Sequence, residues 1–292
     1  MQPSRSSTAL VVPALVVAVI AVSFAAVLFR AAPELHPMSA AGWRLVIAGL
    51  VLTPFLRHLP RSAWRKGPFA GLAYALHFGC WVASLGLLSV LVSTTIVTTT
   101  PLMLAAFALV TGRDRPRARA LAGMALGTFG VVLLATSMPS DGTSDTGDTS
   151  LHGVLLALVG AATGAVYLVT ARSVRLPSLR ASLAFSGVAA LTGGVLLITT
   201  AAIVGAPLLP ATAEEAWVIV GAAALPQLVG HTLLTWAVTR TSPTTVALAT
   251  LGEPIGAALL AAALLGEPLT ALGIAACVLT LGAVALALSD PG

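Results

Sequence analysis

An all-α polytopic membrane protein is the fold class this sequence predicts: ten transmembrane helices in two inverted five-helix repeats, with both termini in the cytoplasm. Three observations predict it. The 292 residues are 58% hydrophobic and only 9% charged, with a mean hydropathy of +1.00; a soluble domain runs nearer half apolar and a quarter charged. The apolar stretches recur at the length of a bilayer crossing. The basic residues alternate between successive loops. Disordered, collagen-like and disulfide-stapled chains are excluded by the same composition, with 27 Gly, 18 Pro and 2 Cys.

At about 20 residues per crossing, ten helices use roughly 200 residues and leave no room for a soluble domain of ordinary size. The first span is read at 9–29. It exceeds the length of a signal-peptide apolar region and no A-x-A site closes it, so it stays as a helix. The second is 38–57, the third 68–91 and the fourth 92–111. No polar break separates the last two, so the 44 residues from Pro68 to Thr111 form a helical hairpin. The fifth span is 119–137, and the sixth to tenth are 151–171, 181–205, 216–238, 243–265 and 269–289.

Ten spans place both termini on one side, and charge fixes which. Arg5, the cluster Arg57, Arg61, Arg65 and Lys66, the cluster Arg113, Arg115, Arg117 and Arg119, then Arg172, Arg175, Arg180 and Arg240 all fall on that side. They are thirteen of the fifteen basic residues. Arg30 falls opposite and Arg44 lies inside a span. The positive-inside rule therefore orients this side to the cytoplasm. The net charge of +5 concerns topology and anionic lipid, and nucleic acid is not an expected partner. Cys80 and Cys277 lie inside spans as small packing residues, with no spacing that suggests a disulfide or a metal.

An internal repeat follows from two segments, Thr98–Asp114 (TTTPLMLAAFALVTGRD) and Leu251–Glu267 (LGEPIGAALLAAALLGE). Pro101 aligns with Pro254, Gly112 with Gly266, Asp114 with Glu267 and, further on, Gly130 with Gly282. The offset is about 153 residues, near half the chain. Residues 1–139 and 151–292 then form two five-helix halves, joined by an external polar linker at 140–150. An odd number of spans per half inverts one against the other, the architecture of many secondary transporters. These halves, the run PMSAAGWR at Pro37–Arg44 and the GEP…LLGEP run resemble the EamA domain, the duplicated unit of the drug/metabolite transporter superfamily. The resemblance covers nearly the whole chain. It implies a permease, often an exporter of amino acids, metabolites or drugs. The family's Trp near the middle of the first helix is replaced by Ser23 and Phe24, and its Gly-Glu after the fourth helix by Gly112-Arg113-Asp114.

Polar groups inside spans mark candidate sites. Glu253, ten residues past Pro243, lies about 15 Å deep at the α-helical rise. Pro254 disfavours helix at this residue, while Gly252 and Gly256 allow close helix approach. Glu253 is either a carboxylate that takes a coupling proton or a cationic substrate, or a structural group bonded to a neighbour such as Arg44. Arg44 either binds a carboxylate, snorkels outward or pairs internally. Tyr74, His77, Phe78 and Trp81 fall at i, i+3, i+4 and i+7 on one helix face, which either lines a cavity or packs. Gln227 and His231 share a face in the eighth span, where Pro226 weakens the helix. Tyr167 shares the Gly160–Gly164 face of the sixth. Threonines around Pro101 are expected to satisfy carbonyls freed by the proline, and Gly123–Gly127 to serve helix packing or a dimer contact.

No H-E-x-x-H, G-x-S-x-G, P-loop or paired catalytic Asp appears, so the chain does not read as an enzyme, and no cofactor or metal is expected. The reading is a secondary active transporter that exports a small metabolite, amino acid or amphipathic compound by alternating access. A channel or non-transporting scaffold, or an uptake permease of the same fold, are the alternatives. Expected partners are a small-molecule substrate, the lipid bilayer and a coupling proton, with the protein a monomer or homodimer. A single Lys and no Asn suggest a GC-rich bacterial host and hence the bacterial cytoplasmic membrane.

Overall fold

The computed structural model describes residues 10–32, 34–85, 87, 90–111, 117–137, 151–174, 176–265 and 270–288. The linker 140–150, residues 112–114, and the aligned pair Gly266 and Glu267 lie outside these. Among the described residues all regular structure is helical. In chain order the helices are α1 (Val11–Ala31), α2 (Pro37–Leu52), α3 (Lys66–Leu85), α4 (Val90–Val97), α5 (Thr100–Thr111), α6 (Ala118–Ser137), α7 (Leu151–Arg172), α8 (Leu179–Ile203), α9 (Ala213–Ala222), α10 (Thr232–Val238), α11 (Pro243–Thr250), α12 (Gly252–Leu265) and α13 (Ala271–Leu288). A π-helical segment, Ala223–His231, joins α9 to α10.

Six stretches among the described residues are long and apolar enough to cross a bilayer: Val11–Phe29, Pro37–His58, Leu151–Arg172, Leu179–Ile203, Ala213–Val238 and Pro243–Leu264. Ala118–Leu133 and Ala271–Ala283 are shorter apolar helices. The evenly sized spans read from the sequence thus resolve unevenly, for identifiable reasons. Span two is α-helical only to Leu52 and finishes as a 3₁₀ turn, Thr53–His58, with Pro54 as its second residue. The ring of Pro54 removes a backbone donor, and the Thr53 hydroxyl donates to the Leu50 carbonyl at 2.7 Å. Span four divides into α4 and α5 at a turn over Thr98 and Thr99, ahead of Pro101. Span nine divides at Leu251, ahead of Pro254. Pro226 sits within the π segment, where the wider turns accommodate it.

Side-chain caps fix several starts. Ser178 caps α8 through the Ala181 amide (3.2 Å), and Ser242 caps α11 through Thr245 (3.0 Å) ahead of Pro243. Thr212 and Glu215 form a reciprocal box on α9: Thr212 accepts from the Glu215 amide (3.2 Å), and Glu215 accepts from Ala211 (2.6 Å). α3 and α4 are joined through residues 86–89, and Ser84 and Ser93 close the hairpin with a 2.5 Å hydroxyl contact.

Packing follows small residues. α2 lies along α8 and α6 along α13, while α1 meets the π segment and α12, and α7 meets α3, α4 and α5. A Cβ added to Gly194 of α8 would stand 2.7 Å from the Val46 amide nitrogen of α2, so these backbones touch. Gly127 and Gly130 of α6 press on Leu251 and on Thr280 of α13, which makes this glycine face an internal contact. Large apolar side chains such as Val12, Ile20, Leu155, Val195 and Val278 remain exposed on the outside, the surface a bilayer would cover. Both cysteines are free.

Candidate functional site

The aromatic stripe of α3 faces inward. Tyr74, Phe78 and Trp81 are buried and His77 is half-buried. Across from it, Gly160 and Gly164 of α7 make room: a Cβ on Gly164 would stand 3.0 Å from His77 Nδ1. That Nδ1 lies 2.8 Å from the Gly160 carbonyl. A carbonyl only accepts, so the proton sits on Nδ1, and a neutral ring keeps Nε2 as an acceptor. Tyr167 stacks on Tyr74 with centroids 3.8 Å apart and planes 15° apart. Its hydroxyl meets the Thr235 hydroxyl of α10 at 2.6 Å. His231, the last residue of the π segment, stands edge-on to Tyr74 and Phe78 at 5.8 and 5.4 Å. Helices α3, α7 and the π segment thereby deliver their polar rings to one place.

Two opposite charges join them. Arg44, in the middle of α2, is 1% exposed. Its guanidinium lies 4.1 Å from the Phe78 ring centre and 6.0 Å from that of Phe29. Nε and Nη2 have no hydrogen-bond partner. Arg44 is therefore turned inward, and among the described residues nothing accepts from Nε or Nη2. Glu253 enters from the second half, in the first turn of α12. No neighbour among the described residues bonds its carboxylate. Its backbone carbonyl accepts from Ser23 Oγ of α1 at 3.1 Å, which also donates to the Val19 carbonyl at 2.7 Å. A Cβ on Gly256 would collide with Ser23 Oγ, so the lack of a side chain at position 256 lets α12 approach α1 this closely.

These groups line a single cavity of about 80 Å³. One water needs about 10–15 Å³ by this measure, so the space holds several waters or a small organic group. Arg44, Tyr74, His77, Phe78, Trp81, Tyr167, His231 and Glu253 all line it, drawn from both halves of the chain. Gln227 is buried but does not reach the lining, and its Oε1 has no partner. Pro101, Pro226 and Pro254 shape the broken segments around the cavity without lining it. Thr98 and Thr100 donate to the Thr95 and Val97 carbonyls, each at 3.0 Å, as expected for hydroxyls beside a proline. The Thr94 and Thr95 hydroxyls, expected to do the same, have no partner among the described residues, and Thr94 reaches the cavity instead; Thr250, not singled out in the sequence, also lines it. The position of Thr250 beside a helix break is the one signal that points to it.

A model of the EamA-like transporter family matches residues 9–136 and again 151–289. Among curated proteins, none matches the sequence. A crystal structure of another protein superposes with a TM-score of 0.78 over 97% of each chain, at 20% identity. Likeness at that identity is one of fold.

Proposed function

This chain belongs to the EamA-like transporter family, and from that premise we propose that it is a secondary active transporter exporting a small metabolite by alternating access. The moving parts are residues 1–139 and 151–292, inverted five-helix repeats joined by the linker 140–150, in a bacterial cytoplasmic membrane with both termini inside. The pattern of helix contacts supports two related halves. α1 meets the π segment and α12, and its counterpart α7 meets α3 and the broken pair α4 and α5; α2 meets its counterpart α8, and α6 meets α13. A two-fold axis between the halves gives this exchange of partners.

The observation that carries the reading is the cavity itself. Its wall combines Arg44 and the α3 rings from one half with Tyr167, His231 and Glu253 from the other. Rocking the halves would then open it to one side at a time. Glu253 is the candidate coupling group, able to carry a proton at a break in its helix. The purified protein in sealed proteoliposomes should move substrate saturably against its gradient when a proton gradient is imposed. Flux that stays linear with concentration, or none for any metabolite tried, would refute the proposal.

A further inference from the structure

We propose that the linker between α2 and α3, residues 53–65, is a binding site for an anionic phospholipid. Its arginines hold the headgroup phosphate, and the apolar face of α3 below them holds an acyl chain. The proposal needs only a chain that sits in a bilayer and is independent of the transport reading. Arg57, Arg61 and Arg65 recur every four residues, and the sequence has no Asp or Glu between Glu34 and Asp114. All three side chains are exposed. Arg57 Nε reaches the adjacent His58 ring at 3.3 Å, and no protein group among the described residues bonds the side chain of Arg61 or Arg65.

Other basic residues at this end of the helices are already in use. Lys66 Nζ donates to the Ser173 carbonyl and hydroxyl at 3.0 and 2.9 Å. Arg172 donates to the Thr239 carbonyl at 3.0 Å, and Arg240 to the Trp236 carbonyl at 2.9 Å. Each serves carbonyls at the end of a helix, where a cation is favoured. The linker arginines have no such task, yet they stand on a fixed frame. Leu59 and Ala63 are buried in the main core, and Phe55 and Leu56 pack on it. The first 3₁₀ turn packs along α8. A Cβ on Gly187 would stand 2.9 Å from Leu52, so the turn lies beside the start of α8, where Arg180 of the other half is also exposed. Cations held in place before binding lose less freedom on binding.

What lies below the arginines points to a lipid. Phe69, Leu72 and Leu76 follow Arg65 at helical spacing and are all exposed. They run for about 10 Å along α3 at the helical rise, against about 15 Å for the hydrocarbon of one leaflet. Trp64, 49% exposed, stands next to Arg65, as tryptophan does at the level of the headgroups. A phosphate at the arginines and a chain along the stripe engage both features at once.

Native mass spectrometry of the purified full-length protein, titrated with phosphatidylglycerol or phosphatidylcholine of the same acyl chains, tests the proposal. Phosphatidylglycerol should bind about tenfold or more tighter, as expected for two or more basic side chains near one anionic headgroup. Arg61→Gln should weaken it about fivefold, the scale of a single such side chain. Lys66→Gln removes the same charge from a group already bonded to Ser173, and should change the affinity less than about twofold. Equal losses from the two variants would show diffuse attraction in place of a site and overturn the proposal, as would equal affinity for the two lipids. Glycerol phosphate, the headgroup without its chains, should bind at least about tenfold more weakly than phosphatidylglycerol, because the apolar stripe then holds nothing. Equal binding would make this a site for free phosphate and overturn the lipid assignment. If Arg61→Gln does not fold, the two lipids and the bare headgroup on the unaltered protein decide.

Discussion

The fourth and ninth spans break at positions 153 residues apart, Thr98 and Leu251, each three residues ahead of a proline. The two breaks are nevertheless built differently. Around the first, Thr98, Thr99 and Thr100 donate to carbonyls three residues back, at 3.0, 2.6 and 3.0 Å. Thr100 also reaches the Ala161 carbonyl of α7 at 3.3 Å. The exposed backbone is satisfied locally, and the break serves as a fixed joint. Around the second, the turn at Leu251 is followed at once by a helix N-terminus carrying Glu253, whose side chain bonds no neighbour among the described residues. One repeat has turned its break into scaffold, and the other has placed a charge there. Duplicated architecture fixes where a helix breaks, while the residues at the break decide what it does.

The sharpest way to break this contrast is Glu253→Gln. It keeps the shape and removes the charge from the second break only. Proton-driven flux should fall by about tenfold or more, the scale of one lost charged interaction, while the protein stays folded. Flux equal to that of the unaltered protein would make the two breaks equivalent and Glu253 structural. Next in size is Gly130→Ala on α6. The new methyl would collide with Thr280 Oγ1 and stand 3.1 Å from the Thr280 amide nitrogen and 3.2 Å from the Ala276 carbonyl. Backbone cannot yield as a long side chain can, so a loss of about 1–3 kcal/mol is expected. Thermal or denaturant unfolding in detergent measures it, and an unchanged stability would mean that α6 and α13 are less closely packed than described.

Much of this was legible in the sequence because it is local. Proline positions forecast the breaks to within three residues, and i, i+3, i+4, i+7 spacing put Tyr74, His77, Phe78 and Trp81 on one face. The Gly160–Gly164 pair forecast a helix contact that does bring α7 against α3. What escaped depends on which helix meets which. Arg44 was expected to snorkel, pair or bind; that it turns inward with Phe78 against its flat face depends on a contact between separate helices. Gln227 shares a face with His231, but the π segment packs on α1 and α2, and of the two only His231 reaches the lining. The π turns themselves have no pattern in hydrophobicity, because the same residues can wind either way.

The smallest expected effect is the most direct test of asymmetry between the repeats. Gly282 of α13 is the sequence counterpart of Gly130, yet a Cβ there meets nothing within 4 Å. Gly282→Ala should therefore leave stability unchanged or raise it by up to about 1 kcal/mol, the helix-propensity gain of alanine over glycine. The same substitution, one repeat apart, is predicted to have opposite signs. That pattern cannot arise from glycine's flexibility alone, since both residues lie in helix interiors and would lose similar freedom on folding. It requires that α6 press its glycine face into α13 while α13 turns its own outward. A loss at Gly282 matching that at Gly130 would refute the asymmetry and indicate that the outward face of α13 is covered, as it would be by a second copy of the chain.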